Sequence, residues 1–250
     1  MVNVSSNMPT PPAADPLSPF RSGLIERVRW LRREGRLALA VQAEIGNWIS
    51  IVGERLNAPK LVFNNWAFAM YHRGALETAP FVIEKVISLY PNLKSAVDLG
   101  SGTGVYMHEL HRHGLEVVGY EYIPHARRLT KRRYGFDIKP FDINDFKGVD
   151  KRYDLSLCIE VAQYFTPGQA DVLIRHMVKA APLILFSSAR PNQEAYGTVN
   201  KQPREWWVER FGRQGAHLNV DATEKLENHL NANLRRLRFL AGNMGIYDVR

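Results

Sequence analysis

The chain of 250 residues has a single cysteine, Cys158. An intrachain disulfide is therefore excluded, as is any Cys-rich zinc or iron–sulfur cage. No apolar run reaches the roughly 18–20 residues that a membrane-spanning helix needs, and the opening MVNVSSNMPTPP lacks the basic-then-apolar order of a secretory signal. The Gly-Lys-Ser/Thr ending of a phosphate loop is missing as well. These absences describe a soluble, cytoplasmic protein without a membrane partner. What is present is an apolar fraction of 45%, enough for a substantial core.

Charge is unevenly placed. Lys and Arg number 33 against 25 acids, for a net +8. Residues 21–36 hold six Arg against Glu26 and Glu34, and residues 127–133 hold five bases and no acid, so these two stretches account for the whole excess. Each reads as a solvated helix face more readily than as a nucleic-acid footprint, which leaves nucleic acid a disfavoured partner. His108, His111 and His113 do not fall on one helical face, so no metal site is expected from them.

The first twenty residues carry five prolines and no apolar period, and read as a flexible leader. Residues 21–91 read as a helical cap: Leu24–Leu56 shows helical apolar spacing, and the aromatic stretch LVFNNWAFAMYHRG precedes the helix-like APFVIEKVISLYP. From residue 92 to 250, strands alternate with helices. KSAVDLG, LEVVGYEYI, the DIKP stretch, YDLSLCIEVA, PLILFSSA and two later segments supply seven strands. The fold class expected is α/β, a doubly wound Rossmann-like, mostly parallel seven-stranded sheet with an N-terminal helical cap.

VDLGSGTG is the most informative stretch. A strand runs into Gly100, Gly102 and Gly104, and a helix follows, which places a ligand at the carboxyl edge of the sheet. A dinucleotide fingerprint needs a small residue where Val105 stands. Asp98, two residues before Gly100, repels a pyrophosphate and welcomes an ammonium group. Glu121 closes the second strand, where an acid accepts hydrogen bonds from both ribose hydroxyls. Asp142 follows the third strand and suits the exocyclic amine of adenine, with Ile143 offering a backbone N–H and an apolar edge.

On VDLGSGTG, the acid ending VVGYE, FDIND and DLSLCIEVAQYF, the chain resembles the class I S-adenosylmethionine-dependent methyltransferases from about Ser95 to Phe186. The resemblance implies S-adenosylmethionine as cofactor and S-adenosylhomocysteine as product. It implies that Gly100, Ser101, Gly102 and Gly104 line the methionine part with help from Asp98, that Glu121 takes the ribose, and that Tyr122 and Ile123 flank the adenine. Asp142 and Ile143 would bond the adenine edge, and Glu160 would face the junction of cofactor and acceptor. Many relatives have Glu-His where this chain has Gln163 and Tyr164. That departure disfavours a metal ligand there, and a neutral Tyr164 is a poor base.

A sulfonium methyl is already activated, so transfer by in-line displacement needs alignment and exclusion of water, which in model systems lower the barrier by up to roughly 7–11 kcal/mol. For acceptor binding the chain offers Tyr71, Tyr164 and Asn200, and for acid–base work His72 and Tyr196. The expected function is methyl transfer to a small molecule, most readily at oxygen, whether hydroxyl or carboxylate. Beside it stand a non-enzymatic cofactor-binding module and two alternative activities. One is transfer to RNA or a peptide recruited by the Arg-rich N-terminal helix; the other, from a different class, is a nicotinamide-dependent oxidoreductase.

Overall fold

The computed structural model describes residues 45, 46, 48–53, 55, 56, 62–193 and 197–250. The proline-rich leader and the Arg-rich segment 21–36 lie outside them, and so does Tyr196.

Seven strands form one sheet: β1 (Ser95–Leu99), β2 (Glu116–Glu121), β3 (Lys139–Pro140), β4 (Leu155–Ile159), β5 (Leu183–Ser187), β6 (Ala216–Leu218) and β7 (Gly245–Val249). Their order is β3-β2-β1-β4-β5-β7-β6, with β7 alone antiparallel to its neighbours. β1 pairs with β2 on one side and with β4 on the other, both in parallel. The order reverses between β1 and β4, and this is where ligands of such sheets bind, outside the carboxyl ends of the strands.

Strand side chains alternate between two apolar layers, as a sheet covered on both faces demands. Val97 and Leu99 of β1, Cys158 of β4, and Ile184 and Phe186 of β5 pack in one layer, under α4 (Pro167–Ala180) and α5 (Arg204–Arg213). Ala96, Leu155, Leu157, Leu183 and Leu185 pack in the other, against Val82, Ile83 and Val86 of α1 (Asn65–Leu89), Leu110 of α2 (Val105–Arg112) and Leu226 and Leu230 of α6 (Val220–Asn233). Cys158 is fully buried in its layer, the place expected of a structural thiol.

The helices obey local rules. Asn64 accepts the Ala67 N–H through its side chain and starts α1. Pro124 occupies the first turn of α3 (Pro124–Tyr134), which ends at left-handed Gly135 with Lys131, Arg132 and Arg133 in the last turn, where cations suit the helix dipole. Thr166 and Gln169 form a reciprocal capping box on α4. Asn219 caps α6 through its side chain, so that helix begins at Val220. The short α7 (Phe239–Asn243) precedes β7.

One element differs from the sequence reading in a way that shapes the site. The aromatic stretch and the helix after it form a single 25-residue helix, α1, with Pro80 inside. An interior proline costs about 3 kcal/mol. Burial of Ala79, Val82 and Ile83, all fully buried, offsets that cost. The second half of α1 thus belongs to the sheet's own helical layer, and its first half projects Phe68, Tyr71 and His72 over the carboxyl ends of the strands.

Candidate active site

The chain leaves β1 at Leu99 and turns through Gly100, Gly102 and Gly104, with φ values of 89°, 54° and 75°, before α2 begins at Val105. The three glycines serve different needs. A Cβ on Gly100 would meet Val161, and one on Gly104 would come within 2.3 Å of Thr130 Cγ2, so both are fixed by internal packing. A Cβ on Gly102 would meet nothing within 4 Å. Open space above left-handed backbone is what a ligand-facing turn requires, and Gly102 alone of the three provides it.

Two buried carboxylates flank this turn. Glu121, 7% exposed, accepts the Gly102 N–H at 2.8 Å and the Ile123 N–H at 2.7 Å. Burial raises its carboxyl above the ordinary range, while those two N–H donors and the Arg127 charge oppose the rise. A carboxylate offers about four acceptor sites, so two remain for a vicinal diol. Asp98, 4% exposed, receives no hydrogen bond from the described residues. Burial, with a contribution from the Glu121 charge, pushes it up to about 7. A buried carboxylate without a donor suits a ligand that brings its own cation. The residues present therefore fit an adenosine-bearing sulfonium amino acid.

Farther along the edge, Asp142 Oδ1 accepts the backbone and side-chain N–H of Asn144 in a tight turn, with Ile143 buried beside it. Tyr122 leaves 48% of its surface exposed, and Ile123 is buried against Phe68 and Ala126. α1 closes the other side. Tyr71 OH lies 3.3 Å from Tyr164 OH, and Phe63 meets the Tyr164 ring edge-on at 4.8 Å. Burial raises both phenols, and the Glu160 charge raises them further. The next residue on α1 diverges: His72 Nδ1 lies 3.0 Å from Thr103 Oγ1 of the glycine turn. Burial, and then Arg133, hold the His72 imidazole below its usual range, so it is neutral at pH 7.

Glu160 follows β4 with φ 55°, a strained conformation for a residue with a side chain. Its backbone N–H is held by Ser187. Its carboxylate accepts from Asn243 at 3.0 Å, from Gln193 at 3.1 Å and from Gln163 at 3.4 Å. Three amides from three parts of the chain thus fix one carboxylate, and burial raises its pKa despite them.

Residues 96–181 match the family model for a methyltransferase domain. The chain thus carries an S-adenosylmethionine-dependent methyltransferase domain over these residues. A search of curated protein sequences finds no match. Among solved structures the methyltransferase is similar to a sugar N-methyltransferase from Streptoalloteichus, with 14% identity and a TM-score of 0.57 over 73% of this chain and 92% of that one. It is also similar to an amino pentose methyltransferase from Micromonospora echinaspora, with 14% identity and a TM-score of 0.55 over 75% and 98% of the two chains. A magnesium protoporphyrin IX methyltransferase from Synechocystis shares 16% identity and a TM-score of 0.52 over 71% and 81%. The last two were solved with S-adenosylmethionine bound. The nicotinamide alternative is set aside by the family match.

Within the methyltransferase, the tertiary structure gathers Asp98, Ser101, Gly102, Glu121 and Ile123 around the glycine turn, with Asp142 and Ile143 one strand away. Tyr71 and Tyr164 meet at their hydroxyls, within reach of the Glu160 charge. Asn200 is not among them: it is 1% exposed, its N–H donates to Gln163 O and its side-chain oxygen accepts from Gln202. The two histidines of α2 and the one that ends it go separate ways, His108 stacking on Tyr134, His111 meeting Phe136 edge-on and His113 lying 3.9 Å from Glu109.

Three site residues escape sequence reasoning. Tyr106, in the first turn of α2, hydrogen-bonds Thr78 of α1 at 2.9 Å, and the charges of Glu160 and Asp98 help to raise its phenol. Its position two residues past Gly104 is the signal that could have found it. Gln193 and Asn243 carry no local motif, and only the fold brings them to Glu160.

Proposed function

We propose that this methyltransferase acts on a small-molecule acceptor and transfers the methyl to oxygen by in-line displacement. The observation that carries the reading is the pair of tyrosine hydroxyls, Tyr71 and Tyr164, set 3.3 Å apart beside Glu160, across the carboxyl edge from the donorless Asp98. When bound, the cofactor supplies an electrophilic methyl that needs no further activation. Asp98 holds its ammonium group, Glu121 its ribose hydroxyls, and Asp142 and Ile143 its adenine edge, with Tyr122 and Ile123 on either side. Ser101 contributes to the methionine pocket, where its hydroxyl is buried without a partner.

On the acceptor side, two phenols donate well and ionise poorly, so Tyr71 and Tyr164 orient an acceptor oxygen without removing its proton. His72 supplies the base in this reading. Its Nδ1 is committed to Thr103, which leaves Nε2 to take the proton of a hydroxyl acceptor; a carboxylate acceptor needs only placement. The small-molecule assignment draws on the similarity to enzymes described as acting on a sugar, an amino pentose and magnesium protoporphyrin IX.

The test is incubation with methyl-labelled donor and matched small acceptors presenting a hydroxyl, a carboxylate or an amine. Label on oxygen supports the reading. Label on the amine alone overturns the choice of atom, and label on RNA or protein alone overturns the small-molecule class.

A further inference from the structure

Glu160 holds a negative charge that no cation among the described residues answers. Its carboxylate accepts three amide N–H groups, Asn243 Nδ2 on Oε1 at 3.0 Å, and Gln193 Nε2 and Gln163 Nε2 on Oε2 at 3.1 and 3.4 Å. None of these amides can be turned round. Gln163 Oε1 accepts the Ala189 backbone N–H at 3.3 Å and the Ser188 hydroxyl at 3.2 Å, so its Nε2 must face Glu160. Asn243 Nδ2 gives its second hydrogen to Gln193 Oε1 at 2.7 Å, which commits Gln193 Nε2 to Glu160. Turning Gln193 and Asn243 together would set two carbonyl oxygens against a group with at most one proton. The clamp therefore fits a carboxylate that only accepts.

The groups that oppose the rise of its carboxyl are all neutral, Asn243, Ser187, Gln193 and Gln163. Burial chiefly, with the Glu160 charge contributing, raises the phenols of Tyr71, Tyr164 and Tyr106, so the rings around it add no positive charge. A buried carboxylate without a counter-ion is costly, and a ligand that brings the cation removes that cost. Gln163 and Asn243 are buried, whereas Glu160 is only partly so, and Oε1 holds one amide against two on Oε2. The charged group is thus the member of the network that reaches the open edge.

The cofactor's ammonium group is already answered by Asp98 in the reading above. A carboxylate fixed against the sulfonium would favour the state before transfer over the transition state, in which that charge is dispersing. A cation on the acceptor keeps its charge throughout. We propose that Glu160 selects the acceptor by holding a protonated nitrogen on the molecule whose hydroxyl receives the methyl, so that the acceptor is an amino alcohol. Gln163, Gln193 and Asn243 are positioning residues that aim the carboxylate. This rests on the methyl-transfer reading above: the hydroxyl oxygen forms the new C–O bond as the C–S bond breaks onto sulfur, and the hydroxyl proton leaves to His72. An amine paired with a carboxylate keeps its proton, which removes it as a nucleophile and leaves the neighbouring oxygen to attack.

The experiment is calorimetry on the full chain saturated with S-adenosylhomocysteine. The probes are ethanolamine, 2-aminocyclohexanol and glucosamine, each beside its neutral counterpart, ethylene glycol, cyclohexane-1,2-diol or glucose. At pH 7 at least one amine binds about tenfold or more tightly than its counterpart, as a charge-assisted hydrogen bond requires. Glu160→Gln brings that ratio close to one. Gln193→Met, which keeps Glu160 and loosens the clamp, cuts the ratio about threefold and leaves the neutral compounds unchanged, a split that a merely structural loss does not produce; it decides the matter if Glu160→Gln fails to fold. No preference for any amine, or the same preference in the variant, overturns the proposal. So does a Glu160→Gln variant that loses far more affinity for S-adenosylmethionine than for S-adenosylhomocysteine, which gives the carboxylate to the sulfonium. Label transferred to nitrogen overturns it too, because a nitrogen held as ammonium cannot attack. If S-adenosylhomocysteine itself gives no heat, the cofactor assignment falls, and the same titrations without it still decide whether Glu160 holds a cation.

Discussion

If the donorless Asp98 carboxylate holds the ammonium group as proposed, cofactor affinity depends on pH in a definite direction. Burial pushes Asp98 up to about 7, and the Glu121 charge contributes to the same rise. In the free protein it is therefore largely protonated at pH 6, whereas a bound ammonium group favours the charged form, so binding at low pH must expel a proton. With that pKa, about one molecule in eleven carries the charge at pH 6 and about three in four at pH 7.5, so the apparent Kd for S-adenosylmethionine should be roughly eightfold weaker at pH 6. Calorimetry in buffers of different ionisation enthalpy should detect release of close to one proton on binding at pH 6. Because Asp98 and Glu121 interact, the slope belongs to the pair, and Asp98→Asn should flatten most of it while weakening affinity at pH 7.5. An unchanged Kd from pH 6 to 7.5, or the same slope in Asp98→Asn, would refute the assignment of an ammonium site to this carboxylate.

Further outcomes follow from the same geometry. Charging Asp98 costs the folded state, because its folded pKa lies above its unfolded one, and that cost grows as pH rises toward 7; Asp98→Asn should raise Tm, more at pH 8 than at pH 5, by at most about 4 kcal/mol of stability. Gly104→Ala should lower stability by about 2 kcal/mol or more, from positive φ plus collision with Thr130, whereas Gly102→Ala should cost only about 1–2 kcal/mol and mainly lose cofactor binding; chemical denaturation and calorimetry separate the two. Tyr71→Phe and Tyr164→Phe should lower methyl transfer while leaving S-adenosylhomocysteine affinity within about twofold, and equal loss of both would mean that the hydroxyls serve only the packing of α1. If His72 is the base, kcat for a hydroxyl acceptor should fall as pH drops through its lowered pKa, below the usual histidine range, and His72→Gln should abolish that limb; a pH profile unchanged in the variant removes the role.

The glycine turn after β1 and the acids beside it were legible in the sequence because their signals are local. Asp98, Gly100, Gly102, Gly104 and Glu121 sit at strand ends and in the turn after β1, where alternation of apolar residues and the need for positive φ fix both position and residue type. The seven strands and their class follow from the same periodicity. What the sequence could not decide depends on contacts between distant segments. It did not reveal that α1 runs unbroken through Pro80, because the compensation comes from burial against the second layer of the sheet. Nor did it reveal that Gly100 and Gly104 answer to Val161 and Thr130 and leave Gly102 alone open to a ligand. The amides of Gln163, Gln193 and Asn243 around Glu160 come from three separate stretches of chain. A buried polar group is defined by what surrounds it, and that surrounding exists only once the sheet has brought those stretches together.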